Sequence, residues 1–291
     1  MVFEGSAVAL ITPFYKNGQV NYYTLKELIE FQIANNTKAI VILGTTGEAS
    51  TITFEEREKI IKFSASIINK RVPLIVGTGS NDTKRAIFLT KQAEKLGADA
   101  ALVVTPFSNK CNQEGLFIHY KRVAESVKIP IILYNVPSRT GVNILPETVL
   151  KLSKIKNISG IKEASGNFCQ ISKLINILPK NFAVYSGDDS LNLPIYALGG
   201  KGTISVTANC YPEKVSLLYY YASINDYGNA RLISDFLFKI NEALFYDVNP
   251  ICVKHYLSLM SFNVGAPRLP LSQANDSIKK KLLEVFKFYE N

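Results

Sequence analysis

The stretch VPLIVGTGSNDTKRAIFLTKQAEKLGADAALVVTP, residues 72 to 106, holds one complete structural period. It opens on an apolar run, 72 to 79, that ends in a glycine-rich turn. Ala86, Leu89, Ala93 and Leu96 then recur at helical spacing, and Gly97 closes the helix before a second apolar run over 100 to 106. Neither run alternates apolar with polar residues, which is the pattern of a strand covered on both faces.

Runs of the same kind stand at AVALITP (7 to 13), KAIVILG (38 to 44), IPIILYN (129 to 135), ISGIKEA (158 to 164), FAVYSGD (182 to 188) and GTISVTAN (202 to 209). With the two runs above they make eight. The segments between them carry helix starts: Thr24 with Glu27 and Thr53 with Glu56 as capping boxes, and Pro146 just inside another. Strand and helix alternating at about thirty residues per unit predict an α/β fold, a (β/α)8 TIM barrel, in preference to an open doubly wound sheet. Beyond residue 210 the pattern is wholly helical, with apolar residues across 225 to 245, 250 to 262 and 277 to 289. The expected division is a catalytic barrel over 1 to 222 and a C-terminal helical extension over 223 to 291, packed on the barrel.

Composition narrows the function. A chain of 291 residues with 47% hydrophobic content has ample material for such a core. The net charge of +9 comes from scattered lysines that mostly alternate with acids, as from Phe54 to Lys62, which reads as a solvated face and not as a nucleic-acid surface. No apolar run approaches the roughly eighteen residues of a membrane span, and the N-terminal stretch carries Glu4 and Pro13. The expectation is a cytoplasmic protein with no membrane or nucleic-acid partner. Cys111, Cys169, Cys210 and Cys252 are widely spaced, and His119 and His255 lie far apart on helical segments, so neither a metal site nor a disulfide framework is expected. LGGKGT at 198 to 203 fails as a phosphate loop because Ile195 stands where its first glycine would be.

In a barrel, chemistry gathers where strands end. Those positions hold Thr12, Thr45, Thr46, residues 77 to 80, residues 105 to 108, Tyr134, Asn135, Lys162, Glu163, residues 186 to 188 and residues 205 to 209, and only one set contains a lysine. Lys162 shares strand parity with Ile158 and Gly160, so if those point inward it does too. Desolvation favours the neutral, nucleophilic form of an amine in such a place. The plain alternative is a lysine paired with a carboxylate at the barrel mouth. Tyr134, ending the neighbouring strand, is either a proton shuttle or a packed aromatic, and Thr45 and Thr46 offer donors for a small carboxylate.

Four segments, GTTGEAS (44 to 50), LYNVPSRTG (133 to 141), GIKEASGN (160 to 167) and YSGDD (185 to 189), resemble the signature segments of the dihydrodipicolinate synthase family of pyruvate-dependent Schiff-base lyases. The resemblance continues through DVNPICVK at 247 to 254. It implies a barrel with a helical extension, condensation of pyruvate with aspartate semialdehyde through an imine on Lys162, no cofactor, and a homo-oligomer, a tetramer built as a dimer of dimers. It further implies that Thr45 and Tyr134 relay protons, Thr46 holds the pyruvate carboxylate, Arg139 grips the carboxylate of the aldehyde, and Gly187 and the Ile204 carbonyl shape the pocket.

Two departures from the family pattern stand out. A Tyr-Tyr pair is replaced by Phe107-Ser108, so Ser108 occupies an altered relay position. Where lysine-inhibited members use a His, a Glu and the first Tyr, this chain has Arg57, Arg85 and Phe107, and free lysine is expected not to inhibit. A related lyase acting on N-acetylneuraminate or a keto-deoxy sugar acid, and a catalytically impaired ligand-binding paralogue, are the alternatives.

Overall fold

The structure is a computed structural model that describes residues 1–290. Eight strands, β1 (Gly5–Ala9), β2 (Ala39–Ile42), β3 (Leu74–Gly77), β4 (Ala100–Val104), β5 (Ile131–Asn135), β6 (Ile158–Glu163), β7 (Ala183–Ser186) and β8 (Gly202–Ser205), close in chain order into a parallel barrel. Each lies within or against a run expected from sequence, and β1 begins two residues earlier than its run. The intervening helices are α1 (Tyr22–Ala34), α2 (Phe54–Ile68), α3 (Thr83–Lys95), α4 (Gln113–Glu125), α5 (Pro137–Thr140), α6 (Pro146–Leu152), α7 (Phe168–Ile177), α8 (Asn192–Ala197) and α9 (Pro212–Ser223). They are followed by α10 (Tyr227–Ala243), α11 (Ile251–Leu259) and α12 (Asp276–Glu290).

Successive strand residues point alternately into the barrel and out toward the helices. Val41, Ile75, Leu102 and Ile132 belong to the inner cluster, while their neighbours Ile40, Val76, Val103 and Leu133 pack outside. At the N-terminal end the Phe3 ring stacks on Tyr185 with centroids 4.3 Å apart, and the Tyr185 hydroxyl donates to the Phe3 carbonyl at 2.7 Å. That pair fills the barrel floor. In the extension, Leu237, Ile240, Tyr256, Leu257 and Leu282 share one apolar cluster with Val8, Ile40 and Leu74, so burial of their side chains ties the last helices to the barrel.

Two local expectations are corrected. α1 is capped by Asn21 and not by a Thr24–Glu27 box: the Asn21 side chain accepts the Thr24 N–H at 3.1 Å and donates to the Asn263 carbonyl at 3.1 Å. The contact to a residue far along the chain is what favours the earlier start. The Thr53–Glu56 box, by contrast, is formed at the head of α2. In β6 the register slips between Ile158, which pairs with Ile131, and Gly160, which pairs with Ile132. The bulge turns Ile158 outward beside Ile161 and leaves Gly160 and Lys162 facing inward.

Charged groups buried outside the barrel set further constraints. Lys254 on α11 is 1% exposed, with its ammonium 2.5 Å from Glu48 and 4.1 Å above the Phe14 ring. Burial pushes it down to about 8, and the Glu48 carboxylate pulls the other way. His119 on α4 is buried, its Nδ1 2.9 Å from the Thr83 hydroxyl. Burial depresses it to about 4, with Asp82 opposing. Because the unfolded chain takes up this proton near 6.5 and the folded chain only near 4, stability is complete above about pH 6.5 and is lost as pH falls toward 4, by on the order of 3 kcal/mol. Denaturant unfolding at a series of pH values should show that slope in the wild type and a shallower one in His119→Gln; equal slopes would remove His119 as the cause.

Candidate active site

Lys162 lies near the C-terminal end of β6, 5% exposed, with its register partner Tyr134 on β5. Its Nζ is 4.5 Å from the centroid of the Tyr134 ring. Two glycines stand in this part of the barrel, and the second leaves the space that the side chain fills. A Cβ at Gly160 would lie 2.7 Å from the Ala183 carbonyl and 3.3 Å from the Tyr185 ring, and one at Gly187 would come within 3.0 Å of Lys162 Cε. Gly187 therefore lies directly against the lysine stem.

The carboxylate alternative is rejected by the neighbours. Glu163 points to the other side of the sheet, where it accepts from Asn135 Nδ2 at 2.9 Å, Gln170 Nε2 at 3.2 Å and the Ser165 N–H at 2.7 Å. Among the described residues no carboxylate lies within ion-pair distance of the Lys162 amine.

Tyr134, Thr45 and Arg139 line one cavity of about 570 Å³ at the barrel mouth. Thr45 is half-buried and Arg139 exposed at the rim, whereas Thr46 is buried. The loop carrying both threonines is held by Thr12, whose hydroxyl donates to the Gly47 carbonyl at 2.7 Å. Ile204 sits inside the barrel on β8, 1% exposed. Ser108 lies in the exposed turn after β4 with φ +71°, and no contact within this chain brings it to Lys162. Lys162, Tyr134 and Gly187 are thus in direct proximity, Thr45 and Arg139 share the cavity, and Ser108 stands apart.

The model of the dihydrodipicolinate synthetase family matches residues 2–288. The chain belongs to that family. It is 50% identical over 289 residues to the 4-hydroxy-tetrahydrodipicolinate synthase of Citrifermentans bemidjiense, covering 99% of each chain. The crystal structure of dihydrodipicolinate synthase from Aquifex aeolicus superimposes with a TM-score of 0.97 at 46% identity, over 99% of this chain and 98% of that one. The lysine-bound family structure from Cyanidioschyzon merolae has a TM-score of 0.95 at 36% identity, over 98% of both chains.

For this member of the dihydrodipicolinate synthetase family, the structure adds one residue that sequence reasoning missed. Asn249, between α10 and α11, donates from its side-chain amide to Thr46 Oγ1 at 2.9 Å, and its carbonyl accepts from Arg139 at 3.3 Å. Because Thr46 Oγ1 accepts that bond, its own proton is left to point elsewhere. The signal was present in DVNPICVK, but nothing in the residue type told that this asparagine would fold back onto loops more than a hundred positions away.

Proposed function

We propose that the chain is a 4-hydroxy-tetrahydrodipicolinate synthase that joins pyruvate to L-aspartate 4-semialdehyde. The observation that carries this reading is Lys162: a buried amine without a carboxylate partner, against Tyr134 and Gly187 inside the barrel. The amine attacks the keto carbon of pyruvate, water leaves, and an imine forms. Loss of a methyl proton gives the enamine, whose carbon attacks the aldehyde; the new alkoxide takes a proton through Tyr134 and Thr45. The amino group of the former semialdehyde then adds to the imine carbon, closes the ring and expels Lys162. An iminium stabilises the developing carbanion, which explains how a poor carbon acid reacts near neutral pH.

Two carboxylates must be held. Thr46 serves the pyruvate carboxylate with the hydroxyl proton that Asn249 leaves available. Arg139 serves the carboxylate of the aldehyde, since a guanidinium fork matches two oxygens. Arg139→Ala should lower kcat/KM for the aldehyde by about 2 to 4 kcal/mol in transition-state binding, with pyruvate imine formation retained. Steady-state kinetics beside borohydride trapping measure both halves, and equal damage to both would contradict the assignment. Asn249→Ala removes the amide that orients Thr46 but keeps the backbone carbonyl that Arg139 donates to, so it should raise KM for pyruvate by roughly tenfold and change that of the aldehyde much less. An equal rise for both substrates, or none for pyruvate, would contradict the role given to Asn249.

A coupled assay decides the aldehyde. Pyruvate with aspartate semialdehyde should turn over, and pyruvate with N-acetylmannosamine should not; the opposite pattern would make the protein a sugar-acid lyase. A homo-oligomer, a dimer of dimers, is supported by the exposed aromatic patch of Phe54 and Phe88, whose rings meet edge to face at 5.9 Å, and by exposed Phe107. Among the described residues no helix is long and apolar enough to cross a membrane, in keeping with a cytoplasmic enzyme of amino-acid biosynthesis.

A further inference from the structure

Behind Lys162, on the helix side of the sheet, lies a buried carboxylate. Glu163, the next residue of β6, is 0% exposed, and its register partners are Asn135 on β5 and Ser186 on β7. One of its oxygens accepts from Asn135 Nδ2 and Gln170 Nε2, and the other accepts the Ser165 N–H. The Asn135 amide is fixed in that orientation because its own oxygen accepts the Ile144 N–H at 3.0 Å. Asn143, between α5 and α6, pairs amide to amide with Gln170, accepting at 3.1 Å and donating at 2.8 Å, and accepts from Asn135 at 2.8 Å. Every contact to the Glu163 carboxylate thus comes from an N–H donor, which suits its ionised, acceptor-only form.

Among the described residues no lysine, arginine or histidine lies within ion-pair distance of that carboxylate. The elements packed against it supply neutral groups: Asn135 from β5, Ser186 from β7, Asn143 from the α5–α6 connection and Gln170 from α7. Glu147 on α6 and Lys173 on α7 pair with each other at the surface. Past Gly187, Asp188 turns its carboxylate to the Ser190 N–H and Asp189 to the N–H groups of Val206 and Thr207. A buried anion kept without a counter-ion is costly, and three N–H bonds offset only part of that cost. The Lys162 amine is likewise buried without an ion pair, on the inner face of the same strand. Two groups of opposite charge therefore stand back to back on consecutive residues, one strand's thickness apart.

We propose that Glu163 is a positioning residue for the condensation: acting through Lys162, its buried charge holds the nitrogen as the protonated iminium once pyruvate has been joined to it. The inference rests on the reading of Lys162 as the imine-forming amine. The iminium is the form that accepts electrons when the methyl carbon loses its proton, and the form that the amino group attacks at ring closure. A fixed anion across a strand favours that cation through a medium of low dielectric. Because the carboxylate faces the helices, it does so without touching the nitrogen, competing for its proton or holding the free amine away from the keto carbon.

The test is cyanoborohydride trapping of the pyruvate adduct on the full chain across a pH series, read by intact mass. Trapping needs a free amine to condense, which limits it in acid, and a protonated imine to be reduced, which limits it in alkali. Glu163→Gln removes the charge and keeps the size. At fixed pH it should therefore speed trapping on the acid limb and slow it on the alkaline limb, each by roughly tenfold for one unit charge across a strand at an effective dielectric of about 20. Glu163→Asp keeps the charge and should leave both limbs where they stand in the wild type. Gln170→Lys, at a half-buried position, brings an ammonium to the same carboxylate and should move both limbs as Glu163→Gln does, so the result does not hang on one variant folding. A residue that only braced the sheet would lower trapping equally at every pH. That uniform loss, limbs unmoved in both Glu163→Gln and Gln170→Lys, or Glu163→Asp behaving as Glu163→Gln would overturn the proposal. Absence of any adduct in the wild type would instead remove the imine reading on which it rests.

Discussion

Lys162→Ala is expected to fold normally and to lose condensation by roughly 10⁴-fold or more, the scale on which enzymes lose a covalent nucleophile. Pyruvate and borohydride should add one reduced pyruvate to the wild type, on the peptide containing Lys162, and nothing to the variant. The comparison that makes this sharp is the second buried lysine. Lys254 is 1% exposed but lies 2.5 Å from Glu48, whereas Lys162 faces an aromatic ring and a glycine. Removing Lys254 strands a buried carboxylate and should cost about 3 to 5 kcal/mol of stability; removing Lys162 strands no charge and should cost little. An adduct of equal yield in Lys162→Ala would sink the imine assignment, and mapping it to Lys254 would show which amine had been misjudged.

Tyr134→Phe should retain the pyruvate adduct and lose about 10²- to 10⁴-fold in turnover, the usual contribution of a positioned proton donor and acceptor. The ring is kept, so the inner cluster that Tyr134 shares with Leu102, Ile132 and Val136 is preserved, and so is the surface facing Lys162. A thermal melt within a few degrees of the wild type would show that the loss is chemical. Turnover within threefold of the wild type would reduce Tyr134 to a packed aromatic.

The barrel was legible because its strands are buried on both faces, and a run such as IILYN has no other economical reading. Lys162 was legible for a related reason: it interrupts such a run at the end where barrels do chemistry. Strand parity alone placed Lys162 correctly but misplaced Ile158, since a bulge is set by the pairing with β5 and leaves no trace in residue type. The cap of α1 moved to Asn21 because a distant carbonyl, that of Asn263, shares its amide. Asn249 and the Glu48–Lys254 pair escaped for the same reason. Their meaning lies in partners brought close only by closure of the barrel and docking of the extension.

The stacked Phe3 and Tyr185 rings turn the barrel into a vessel with one opening. Traffic must then pass Arg139 at the rim on its way to Lys162 below, and must leave by the same route. A first substrate bound at the bottom has to arrive before a second covers it, and a finished ring has to clear the mouth before the next pyruvate can descend. With the floor filled, pyruvate, the aldehyde and the finished ring share one doorway, so product and pyruvate are expected to compete for it.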